Sequence, residues 1–182
     1  MAVYNIDPLH SDISFRVKHM MISNVTGFFN KFSATMISDT EDFTDAKIFF
    51  ECDVDSISTN IQDRDNHLKS DDFFSAEKYP KISFTSTDII KNGDNYVING
   101  LLKIKDIEKE VSLEAEYGGN DTDLYGQSKF GFEISGTIKR SEFGLTFNLL
   151  SGKGNALVSD DVKLIISVQM VLTNENVMEE KW

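Results

Sequence analysis

Asp63, Asp65 and His67 stand at the alternate positions with which a calcium-binding loop begins, where oxygen ligands would be needed. Leu68 then takes the position that such a loop reserves for glycine, and Phe74 that of the bidentate glutamate, so a surface polar pair is expected instead of a metal site. On a helix, Asp63 and His67 share a face while Asp65 points away. His10 and His19 lie on or beside the first predicted strand without ligand-type spacing. A serine nucleophile needs a sharp strand-to-helix elbow, and Gly126-Gln127-Ser128-Lys129-Phe130-Gly131 is one residue too long for it. It reads as a loop entering a strand. Gly152-Lys153 is followed by Gly154 and lacks the upstream glycine of a phosphate loop. Cys52 falls on the apolar parity of its strand with no cation beside it, and is expected to act as a small hydrophobe. No catalytic residue, metal or cofactor is expected from these groups.

The elements that carry these residues are strands. Ile13, Phe15 and Val17 alternate with Asp12, Ser14, Arg16 and Lys18, and Ile48, Phe50, Cys52 and Val54 alternate with Lys47, Glu51, Asp53 and Asp55. The same period of two runs through Tyr96, Ile98, Gly100, Leu102 and Ile104, then Val111, Leu113, Ala115 and Tyr117, then Val162, Leu164, Ile166, Val168 and Met170. Lys91-Asn92-Gly93-Asp94, Gly118-Gly119-Asn120-Asp121 and Ser151-Gly152-Lys153-Gly154-Asn155 supply the turn chemistry between them. One-sided strands with short polar turns predict an antiparallel sheet, closed or paired with a second one. Residues 59–74 break the rhythm and predict a helix, with Thr59 and Gln62 as a capping box.

The 182 residues suit one domain, and no linker or repeat divides them. Fourteen phenylalanines bring large apolar surfaces without a polar handle. A net charge of −12 opposes nucleic acid and anionic lipid as partners. Between Asp39 and Asp72, 11 acidic residues face 3 basic ones, read as a solvated face. No run approaches the ~18 apolar residues that span a bilayer, so no stable membrane insertion is expected. The opening residues carry no secretory pattern, and a single cysteine suits a reducing compartment. A cytoplasmic protein is expected, or a periplasmic or extracellular one if the chain is a processed form.

The string Arg64-Asp65-Asn66-His67-Leu68-Lys69-Ser70-Asp71-Asp72-Phe73-Phe74, continued by Lys78-Tyr79-Pro80-Lys81-Ile82-Ser83-Phe84-Thr85-Ser86, resembles the hallmark of the YceI-like family. Asp7, His10-Ser11, Phe15-Arg16-Val17-Lys18-His19, Gly27-Phe28-Phe29, Gly100-Leu101-Leu102-Lys103-Ile104-Lys105 and Arg140-Ser141-Glu142-Phe143-Gly144 follow the family's order. Asp106 departs from it, standing where relatives usually have glycine.

The resemblance implies an all-β, lipocalin-like, up-and-down antiparallel barrel of about eight strands, with the helix inserted near residues 59–74 and one domain over 1–182. It implies binding, storage or transport of a long apolar molecule: a polyisoprenoid, an isoprenoid quinone, or an acyl lipid or amide. A homodimer is compatible with the family. The lining it implies comprises Phe15, Val17, Phe28, Phe32, Phe84, Ile98, Leu102, Phe130, Phe132, Phe143 and Leu164, with Phe73 and Phe74 closing one side from the helix. Arg140, Lys139 and Lys153 are candidate headgroup contacts, being cations that flank the apolar strand 130–138 and a glycine-rich loop. Two other readings stay open: an enzyme using His19, His67 or Asp7 in the same cavity, and an interaction module with a dry core.

Overall fold

The computed structural model describes residues Met1–Thr173. The single domain expected over 1–182 therefore includes residues 174–182, which lie outside the described residues. Among the described residues eleven strand segments form: β1 (Ala2–Ile6), β2 (Asp12–His19), β3 (Ser23–Phe29), β4 (Phe32–Ser38), β5 (Lys47–Asp53), β6 (Ile57–Ser58), β7 (Lys81–Asn92), β8 (Asn95–Ile104), β9 (Ile107–Thr122), β10 (Ser128–Lys139) and β11 (Val158–Thr173).

Three short interruptions reduce these segments to eight runs. Pro8, which cannot donate to a ladder, opens a 3₁₀ turn (Pro8–His10) between β1 and β2, and a second such turn (Val54–Ser56) separates β5 from β6. Residues 30–31 separate β3 from β4. Each run pairs antiparallel with the next, and β11 closes the circle. Along one edge β11 meets β10; along the other it meets β2 (Leu164 opposite Phe15) and then β1 (Thr173 opposite Val3). The result is the expected closed, eight-strand, up-and-down barrel with one inserted helix, which leaves few open edges to aggregate.

Inner faces follow the alternation. Ile98, Leu102 and Ile104 on β8 are buried, as are Val162 and Met170 on β11. Outward positions such as Glu108, Glu110, Glu114 and Glu116 on β9 are exposed. No helix among the described residues is long and apolar enough to cross a membrane.

Several local expectations are corrected. Helix α1 spans Gln62–Lys69, stopping before Phe73 and Phe74, which lie in the turns after it. The capping box does not form: Gln62 Nε2 donates to Asn66 (2.9 Å), and Thr59 gives its N–H (2.8 Å) and its hydroxyl (2.6 Å) to Asp65. Asp65 is buried because an acceptor serving two donors needs no water. His67 pairs with Asp72 (2.8 Å), a partner farther along the chain than Asp63. Gly118-Gly119-Asn120-Asp121 does not reverse the chain. Strand β9 runs through it, with Gly118 left unpaired where the register to β10 shifts, and the reversal falls at residues 123–127. In the β8–β9 turn the left-handed residue is Lys105 (φ 58°).

Candidate functional site

The barrel encloses a cavity of about 460 Å³, within the range of small-molecule pockets. Two large rings lie close against its wall. Phe15 on β2 faces Gly27 on β3, where a Cβ would sit 2.3 Å from the ring's Cζ. Phe84 on β7 covers Gly100 on β8 in the same way, at 2.4 Å. Glycine at these two positions gives the rings a place outside the lumen.

One end is an aromatic floor. Phe43 stands between Phe130 (centroids 4.7 Å apart), Tyr4 (6.0 Å) and Phe132 (6.2 Å), and Phe132 meets Tyr96 (5.3 Å) and Tyr117 (5.2 Å). Phe43 sits in the β4–β5 loop in a left-handed conformation (φ 58°) that a bulky residue adopts only when held. Asp45 does the holding: it accepts from the Ser38 hydroxyl (2.6 Å), the Thr40 hydroxyl (2.7 Å) and the Asp39 N–H (2.8 Å). The Tyr96 hydroxyl ties the same loop to β8 through the Asp42 carbonyl (3.0 Å).

Those hydrogen bonds, the one from Ser38 first, hold the Asp45 carboxyl well below the usual carboxylate range. A depressed folded-state pKa stabilises the fold fully above the ordinary value of about 4, and the gain fades as pH falls below it. Asp45→Asn is therefore expected to lower the melting temperature at pH 7 while flattening its decline between pH 5 and pH 3. Thermal melts of both proteins across that interval check it, and parallel curves would show that Asp45 carries no such load.

The other end is a polar mouth. Thr59, Arg64, His67, His19, Arg140 and Asn148 all line the cavity there. Of the lining residues only His67 and Leu149 are exposed, so the lumen reaches solvent between α1 and the segment 145–157. The His67 ring stands 5.0 Å from both Phe73 and Phe147, edge to face. Arg140 is 6% exposed, and its guanidinium donates to the carbonyls of Ser159 (2.9 Å), Leu145 (2.6 Å), Phe147 (2.9 Å) and Val158 (3.4 Å). Burial pulls its pKa down from the ordinary value, with Asp160 acting the other way.

Of the residues named from sequence, Phe15, Val17, Phe73, Phe74, Phe84, Ile98, Leu102, Phe130, Phe132, Arg140 and Leu164 stand on the cavity wall. Three do not. Phe28 has the wrong parity: opposite Ser14, it leaves Phe29 to face the lumen. Phe32 keeps the inward parity of Ala34 and Met36 but, as the first residue of β4, packs on the core without bordering the space. Phe143 is fully buried in the 3₁₀ turn Arg140–Phe143 and fills the solid core. Lys139 is exposed, pairing with Asp161 (3.0 Å), and Lys153 stands on an exposed turn, so neither cation reaches the cavity. Asp7 lies off the lumen, bonded to His10 (2.8 Å), and is not brought to His19 or His67. Cys52 faces the lumen, its thiol pushed up to about 12, first by burial.

Sequence reasoning missed Phe43 and Phe147, which lie in loops where no period operates. At Phe43 the available sign was a lone Phe in an otherwise polar loop, and at Phe147 it was the apolar company of Leu145, Leu149 and Leu150. Among the described residues, no three His, Cys, Asp or Glu side chains gather to share a metal ion.

Comparisons with known proteins agree with this geometry. A UPF0312 protein of Staphylococcus epidermidis is 36% identical over 175 residues, covering 96% of this chain and 100% of that one. Protein YceI of Salmonella newport is 37% identical, covering 93% and 87%. The crystal structure of the YCEI protein of Campylobacter jejuni superposes with a TM-score of 0.73 at 36% identity, over 87% of this chain and 90% of that one. A polyisoprenoid binding domain from Saccharophagus degradans shares the fold at 14% identity, with a TM-score of 0.67 over 93% and 98%. The model of the YceI-like domain matches residues 4–170, and with that span matched and the barrel closed, the chain belongs to the YceI-like family.

Proposed function

We propose that the chain, as one domain over 1–182, carries a single long apolar molecule with its tail on the aromatic floor and its polar end at the mouth. One observation carries this reading: the lumen grades from phenylalanine and aliphatic walls to a mouth where Arg140, Asn148, His67 and Arg64 converge. A polyisoprenoid, an isoprenoid quinone or an acyl lipid has that polarity along its length. The name of the Saccharophagus neighbour supports the first of these. The walls offer apolar contact and the mouth offers orientation, which is the chemistry of binding, storage or transport and requires no bond to be made or broken.

Each methylene withdrawn from water contributes about 0.8 kcal/mol before entropic costs, close to fourfold in affinity. Titration with isoprenoid alcohols of increasing length is therefore expected to show affinity climbing steeply and then levelling once the lumen is full. Native mass spectrometry of freshly purified protein should show a bound mass that solvent extraction recovers chemically unchanged after incubation. A protein without co-purified mass and without saturable binding ends the carrier reading. Recovery of an altered guest would make it an enzyme instead.

A further inference from the structure

Five apolar side chains stand in solvent beside the mouth. Met20, Met21 and Ile22, in the turn between β2 and β3, are 43%, 67% and 82% exposed, and Leu149 and Leu150 are 57% and 72% exposed. Backbone bonds set the two groups near each other through Leu157: the Met20 N–H donates to the Leu157 carbonyl (2.7 Å), and the Leu157 N–H to the Leu149 carbonyl (2.9 Å). Leu149 also lines the cavity, so the rim touches the lumen along that side of the mouth. Met20 and Met21 both have positive φ (54° and 57°), a conformation that Asn-Gly would adopt with less strain in such a turn. The chain keeps two methionines in that strained conformation and an isoleucine after them, all three exposed.

Charge is arranged around this rim. Of the chain's 30 acidic residues, none lies in 13–38 or 143–159, the two stretches that contain the rim residues, whereas Arg16, Lys18, Lys31 and Lys153 do. Carboxylates flank the mouth from α1 and the turns after it, through Asp63, Asp71 and Asp72. The rim exposes on the order of 600 Å², large for a monomer's apolar patch but short of the ~800 Å² per partner that a stable dimer buries. A net charge of −12 further opposes both a second copy and an anionic bilayer.

We propose that this rim docks shallowly on a bilayer of zwitterionic headgroups, setting the mouth against the lipid from which the guest enters. The inference rests on the carrier reading, because it gives a guest held at the mouth a lipid surface to come from. Interfacial anchoring by a few loop-borne apolar side chains is reversible and needs no spanning segment.

The test is co-sedimentation of the full chain with phosphatidylcholine vesicles and with phosphatidylglycerol vesicles, beside the variants Met21→Glu with Ile22→Glu, and Leu150→Glu. Thermal melts confirm folding, and analytical ultracentrifugation gives the oligomeric state. Binding to phosphatidylcholine is expected to exceed binding to phosphatidylglycerol and to fall about tenfold or more in each variant, with every protein monomeric. Three outcomes overturn it: no binding of the unaltered chain to phosphatidylcholine, equal binding by the variants, or a dimer that the variants dissociate. The guest content of the same preparations keeps the two readings apart. Vesicle binding with neither co-purified guest nor saturable guest binding sinks the carrier alone, and guest without vesicle binding sinks the docking alone.

Discussion

Gly27→Val is expected to abolish most guest binding while leaving the barrel folded. The Cβ it adds would sit 2.3 Å from Cζ of Phe15, so the ring must leave the wall. Backbone closes the outward side, and the only free volume lies inward, in the cavity. A ring swung there displaces roughly four methylenes of guest, about 3 kcal/mol, or some hundredfold in affinity. Valine favours an extended strand, which offsets part of the strain of the repacking. Isothermal titration with a long-chain alcohol reads the affinity, and a melt within a few degrees of the parent shows that folding survived. Phe15→Ala added to Gly27→Val removes the obstructing ring and should restore binding. Unchanged affinity in the single variant would mean that the guest never passes Phe15.

The second large effect is expected at Arg140. Replacing it with methionine keeps the volume and removes a charged donor from the carbonyls of Ser159, Leu145 and Phe147. Those acceptors lose partners they cannot readily replace from water, at a cost of about 3 kcal/mol. For a chain of this length that lowers the melting temperature by roughly 6–12 °C. Because the bonds join residues 145–147 to the start of β11, limited proteolysis should accelerate first within 145–157. Arg140→Lys should recover only a minor part, since an ammonium lacks the planar fork that reaches several carbonyls at once. If the methionine variant melts with the parent, Arg140 is not what holds the lip of the mouth.

The barrel was legible in the sequence because a strand with one wet face declares its period. Along β8 and β11, alternation alone identified the inward set from Ile98 to Leu102 and from Val162 to Met170. It failed where two apolar residues adjoin. Phe28 and Phe29 both fit a period of two, and the choice depended on Gly27 lying opposite Phe15, a relation set by register across the β2–β3 hairpin. Loops escaped for a different reason: Phe43 reaches the floor only because Asp45 folds its own loop, a network of side chains with no periodic signature. The Gly118-Gly119 pair signalled a turn but serves as a bulge, since glycine suits either use and only the partner strand decides. Arg140 was singled out for its charge, while its bonds to main-chain carbonyls became visible only with the backbone in place.

The seam between β11 and the pair β1–β2 joins strands from the two ends of the described residues. Until residues 158–173 have been synthesised, β1 and β2 lack the neighbour that completes their ladder, and the sheet must wait as an open curl with its greasy concave side in water. Closure over so long a sequence separation makes folding slow and late. The nascent chain is therefore most vulnerable to association just before β11 emerges, and a ribosome stall in that interval should send it to chaperones or into aggregates.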